Sequence, residues 1–121
     1  MRLTPAMEQA IVSALALSSN RRAAGDFEGA WISLVRAHII SQPALLPHLR
    51  VHARMLSLAA EQRDAKEIFG QLVRLALAPL GQVLGRTPWG NPGRSTVRKF
   101  ARVPLPDDVS RLYAEAGIEV T

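Results

Sequence analysis

Apolar residues return every three or four positions in four successive stretches of the chain, and each stretch is bracketed by residues that start or stop helices. That rhythm predicts an all-α fold. Thr4 suits an N-cap and Pro5 the first helical position, where its missing N–H costs nothing. Met7, Ile11, Ala14 and Leu15 then share a face of a helix expected from Pro5 to about Ala23, with Gly25 as its stop. Asp26 caps a second helix whose stripe is Phe27, Ala30, Trp31, Leu34 and Val35; the next position on that stripe is His38. Pro43 and Pro47 punctuate a short connection. A third helix follows, from about Ala44 or Pro47 to Gln62, with His48, His52, Met55 and Ala59 on one face. Asp64 and Glu67 form a capping-box-like pair ahead of a fourth helix. It carries Ile68, Phe69, Leu72, Val73 and Leu75, and Pro79 and Gly81 are expected to kink or end it.

Periodicity stops between Gly85 and Pro106, where Thr87-Pro88-Trp89-Gly90-Asn91-Pro92-Gly93 is turn chemistry throughout. Long loops in compact domains commonly carry function. A short helix is expected from Pro106 to Ala116, with Asp107 and Asp108 in its first turn, Val109, Leu112 and Tyr113 facing inward, and Gly117 as its end. At an offset of 38, Asp26 matches Asp64, Trp31 matches Phe69, and Leu34-Val35-Arg36 matches Leu72-Val73-Arg74. Periods near this value belong to helical-hairpin repeats. The expected architecture is therefore one domain over residues 1–121: two stacked, TPR-like helical hairpins (1–84), a basic Gly/Pro-rich loop (85–105) and a C-terminal helix (106–117).

Composition removes several functions. With no Cys there is no disulfide framework, thiolate metal site or Cys nucleophile. The net charge of +5 is matched by Arg86, Arg94, Arg98, Lys99 and Arg102. Only Trp89 and Phe100 interleave them, and no nucleic-acid-binding signature accompanies them, so they read as a solvated loop rather than a nucleic-acid surface. No apolar run reaches ~18 residues, so no membrane span is expected. Met1-Arg2-Leu3-Thr4-Pro5 lacks a signal-peptide layout, and a cytoplasmic protein is expected.

The three histidines, His38, His48 and His52, fall within 15 residues. His48 and His52, at i and i+4, leave one helix face together. His38 lies near the end of helix two, beside the start of helix three in an antiparallel hairpin. All three can meet at the closed end of that hairpin. Three neutral imidazoles suit zinc first, with copper, nickel or iron as other divalent ions, and leave a coordination position for water or substrate. Gln42, Gln71 and Asn91 are candidate outer partners. The plainer reading makes His38 a packed core residue on an apolar stripe, and the pair lacks the Glu of a zincin helix, since Leu49-Arg50-Val51 separates it. No nucleophile elbow or phosphate loop is present, and Asp107 and Asp108 read as dipole partners rather than a catalytic pair. A competing reading is a protein-interaction module or homodimer presenting Arg36, Arg50, Arg54 and Arg74.

A longer series of residues has a resemblance. It runs Gly25-Asp26, Arg36-Ala37-His38, Gln42, His48, His52, Met55-Leu56, Arg63-Asp64, Glu67, Gly70-Gln71 and Arg74. It continues through Gly85-Arg86-x-Pro88-x-Gly90-Asn91 to Pro104-Leu105-Pro106-Asp107. This resembles a bacterial domain-of-unknown-function family, the one numbered 3703, of small helical proteins without an established activity. The resemblance covers roughly Gly25 to Leu112. It implies that the three histidines belong to one shared feature and that the Gly90-Asn91 turn has a role. The chain departs from the expected Asn-Thr-Gly-Gly there, carrying Asn91-Pro92-Gly93-Arg94.

Overall fold

The structure, a computed structural model, describes residues 3–85, 87–95 and 101–120. Among them are five α-helices and no strand: α1 (Pro5–Ala23), α2 (Phe27–Ser41), α3 (Leu45–Glu61), α4 (Ala65–Val83) and α5 (Asp107–Glu115). The caps read from the sequence form as hydrogen bonds. Thr4 Oγ1 accepts from the Met7 amide at 3.2 Å, Asp26 from the Gly29 amide at 2.9 Å, and Asp64 from the Glu67 amide at 3.1 Å. The Glu67 half of the capping box does not form, because its carboxylate turns to the loop instead.

α1 packs on α2, α2 on α3, and α3 on α4, giving two successive antiparallel hairpins. Ala14 of α1, Trp31, Leu34 and Ala37 of α2, and Met55 and Leu58 of α3 form one apolar core. A second core joins Met7 and Ile11 to Ile39 and Ile40, closed by Val109 and Tyr113 of α5. The Tyr113 hydroxyl donates to the Ile39 carbonyl, and Arg36 pairs with Asp108 at 2.6 Å. Those two contacts seat α5 against the end of α2. Arg36, Arg50 and Arg54 are exposed, whereas Arg74 is buried.

Two features of α4 depart from expectation. It continues through Pro79 to Val83, its last turn pinned by Gln82 Nε2, which donates to the Pro43 carbonyl at 3.1 Å. Part of its apolar stripe also turns outward, although Ile68 packs against the first core. Phe69, Leu72, Leu80 and Val83 are 70%, 50%, 54% and 82% exposed, while Glu67, Gly70, Gln71, Arg74 and Gly81 are buried. The offset of 38 therefore repeats the caps but not the faces, since Trp31 and Leu34 are core and their counterparts Phe69 and Leu72 are surface. The reason is polar: α4 turns its hydrogen-bonding side toward the histidines and the loop. Among the described residues no helix is long and apolar enough to cross a membrane. Arg86, Arg98 and Lys99 of the basic segment lie outside the described residues.

Candidate metal centre

The turn between α2 and α3 is short, so the last turn of one helix lies beside the first turn of the next. His38 projects from α2, and His48 and His52 project one helical turn apart from α3; all three are buried. Their rings converge through the same atom. Nε2 of His38 lies 2.9 Å from Nε2 of His48 and 3.1 Å from Nε2 of His52, and the last pair is 3.1 Å apart. The ring planes of His38 stand at 66° and 74° to the other two, so the nitrogens meet edge-first rather than as a stack. The three rings meet at the closed end of the α2–α3 hairpin, and His38 is at the same time buried, as the plainer reading expects.

Protonation follows from the surroundings. Burial lowers all three pKa values: His38 falls well below the usual range, with His48 and His52 adding to the effect while the Asn91 backbone pulls the other way. His48 falls to about 3, through burial and then His52. His52 falls to about 4, again through burial, with the Gln71 bond and the Glu67 charge opposing and Arg74 assisting. At neutral pH the three rings are uncharged.

The tautomer of His52 is set by its partner. Gln71 Nε2 donates to the Gly93 carbonyl at 2.8 Å and to Glu67 Oε2 at 3.3 Å, which leaves Gln71 Oε1 as acceptor for His52 Nδ1–H at 2.7 Å. The His52 proton is thus on Nδ1, and its Nε2 presents a lone pair to the other two rings. His38 Nδ1 is buried without a well-formed hydrogen bond, although the Asn91 backbone lies close enough to favour a proton on the ring.

Behind Gln71 stands Glu67, a buried carboxylate. It accepts from Arg94 Nε at 2.7 Å, the Ser95 amide at 2.9 Å and the Ser95 hydroxyl at 2.7 Å. Burial alone would raise its pKa, but the Ser95 hydroxyl, Arg94 and the Ser95 amide together hold it below the ordinary carboxylate value. Gly70 makes room for this contact, because a β-carbon there would sit 1.8 Å from Ser95 Oγ. Arg94 also lies 4.0 Å above the Trp31 ring, a cation–π contact. Sequence reasoning took Glu67 for a cap and Arg94 for part of a solvated basic loop, and gave Ser95 no role. The legible signal was the stripe Glu67, Gln71, Arg74 on the face opposite an apolar one.

The loop closes over the cluster. Gln42 holds it by donating to the Pro88 carbonyl at 2.8 Å and accepting from the Gly90 amide at 2.9 Å. Asn91 Oδ1 accepts from the Gly93 amide at 2.8 Å, and Asn91 Nδ2 donates to the Ala101 carbonyl at 2.9 Å. Of the expected outer partners, Gln71 touches a histidine side chain, whereas the side chains of Gln42 and Asn91 shape the loop. The Asn91 side chain thereby supplies a bond that orders the departing Asn91-Pro92-Gly93-Arg94 segment. Beside the cluster a small cleft of about 40 Å³ is lined in part by His38, His48 and Arg74.

A family model described as "Protein of unknown function (DUF3703)" matches residues 5–113. No curated protein and no solved structure matches the chain.

Proposed function

The chain belongs to the DUF3703 family, and from that premise we propose that it is a metal-binding protein whose ion is held by His38, His48 and His52. The observation that carries the reading is the convergence of three Nε2 atoms at 2.9–3.1 Å. Neutral rings this close are joined either by an N–H···N bond or by a cation between them, and a cation alone takes all three Nε2 lone pairs at once. His38, His48 and His52 would hold the ion as three neutral imidazole donors. That donor set suits zinc first, with nickel, iron or copper compatible with it. Positions on the far side of such an ion stay open, unlike the four-ligand closure of structural zinc.

The residues have distinct duties in this reading. Gln71 fixes the His52 tautomer, and Glu67 fixes Gln71, the outer-shell arrangement that orients ligating imidazoles. Burial keeps protons from competing for the ring nitrogens. When bound, the ion would supply Lewis acidity to a water or substrate oxygen. The test is metal analysis and thermal unfolding of untagged protein. Zinc, copper or nickel at a hundredfold excess over its Kd should raise the melting temperature by roughly 10 °C, and His48→Ala and His52→Ala should each abolish that rise. Unchanged melting with all three ions would overturn the reading.

A second reading, self-association, is favoured by the outward apolar stripe of α4. Phe69, Leu72, Leu80 and Val83 are each at least half exposed. Together they form one apolar stripe along α4, the kind of contiguous patch that often marks an interaction site. No charged residue falls between Leu75 and Gly85 to interrupt it. A second copy with the same stripe is its natural cover, through a two-fold interface. Sedimentation should show a dimer at micromolar concentration, converted to monomer by Phe69→Glu with Val83→Glu. A monomeric wild type would refute this.

A further inference from the structure

Three neutral imidazoles contribute no charge, so a divalent ion at this site would keep its full double charge. The acid nearest in the network, Glu67, stands behind Gln71 and is already engaged by Arg94 and Ser95. The cleft beside the cluster adds more positive charge. Arg74 lines it, and among the described lining residues there is no carboxylate. The Arg74 guanidinium is fixed in place by donating to the Arg94 carbonyl at 2.7 Å, and its charge reaches both His38 and His52. Leu77, Ala78 and Gly81 of α4 and Pro88 of the loop supply apolar wall, alongside the uncharged polar side chains of Gln42, Gln82, Thr87 and Asn91. His38 and His48 line the cleft and His52 does not, which directs the open side of the cluster toward it.

Resting on the metal reading above, we propose that this cleft binds a small organic carboxylate. Its oxygen would occupy the open position on the ion, and its short aliphatic body would lie against Leu77, Ala78 and Pro88. The charge of the ion and of Arg74 selects an anionic head over a neutral or cationic one. The apolar walls select a chain of a few carbons over a bare oxyanion, since burying each methylene favours binding.

The test uses the full chain loaded with cobalt(II), whose visible bands report ion binding by their appearance and ligand binding by their shift. Butyrate should shift the bands saturably, about tenfold more tightly than acetate, as expected for two more buried methylenes. Butylammonium and 1-butanol should produce no shift. Arg74→Gln should weaken butyrate at least tenfold with the cobalt bands retained. Ala78→Phe, which narrows the cleft from its α4 wall, should remove the preference for butyrate over acetate. Cobalt bands that ignore every carboxylate overturn this proposal alone, as does a butanol shift equal to that of butyrate or an unaltered preference in Ala78→Phe. Failure of the cobalt bands to appear overturns the metal reading and this proposal with it.

Discussion

Gly93→Ala should cost the protein its metal affinity, by at least a hundredfold in a competition titration against a chelator. Gly93 has φ +82°, where an L side chain is strained by about 1–2 kcal/mol. Its β-carbon would also stand 2.7 Å from both Nε2 and Cδ2 of His38. Neither partner can yield cheaply. His38 is enclosed by the other two rings, and the Gly93 backbone is held on both sides, its amide on Asn91 and its carbonyl on Gln71. Either the ring swings away from the common point or the loop lifts and releases Gln71, and both outcomes dismantle the donor set. Wild-type affinity in Gly93→Ala would show that the loop does not rest on the histidine as described.

The second large effect is expected at Glu67. Glu67→Ala should lower stability by about 3 kcal/mol in denaturant unfolding, because it strands the Ser95 amide, leaves the Ser95 hydroxyl with the Lys66 carbonyl at 3.3 Å, and leaves Arg94 without its carboxylate. It should also weaken metal binding by about 10- to 100-fold, through Gln71 and the orientation of His52. Glu67→Gln keeps the shape and an acceptor oxygen, so it should lose less of both. Wild-type stability and affinity in Glu67→Gln would mean that the carboxylate charge contributes nothing, and losses equal to those of Glu67→Ala would mean that the retained shape and acceptor contribute nothing.

Much of this was legible in the chain. Thr4, Asp26 and Asp64 announced three helix starts because capping is local, a side chain bonding an amide three residues on. The histidine cluster was legible for a similar reason: i, i+4 spacing and a short antiparallel turn leave little freedom. The orientation of α4 was not legible. Its apolar residues are spaced like any core-facing stripe, and only the partners of Glu67, Gln71 and Arg74 turn it over. Those partners lie in residues 93–95, about 20 or more positions away along a segment without periodicity. The repeat suggested the wrong equivalence at the same point. Arg36 is a surface residue paired with Asp108, while Arg74, its counterpart, is buried under the loop.

The loop from Pro88 to Ser95 is stitched to both hairpins at once. Gln42 fastens one end, Gln71 and Arg74 the middle, and Glu67 the other end. Peeling it from the histidines breaks these bonds together, whereas a small molecule reaches the cleft through its mouth with all of them intact. Two clocks follow from that arrangement. Guests in the cleft should come and go rapidly, and the ion beneath should stay through many such visits.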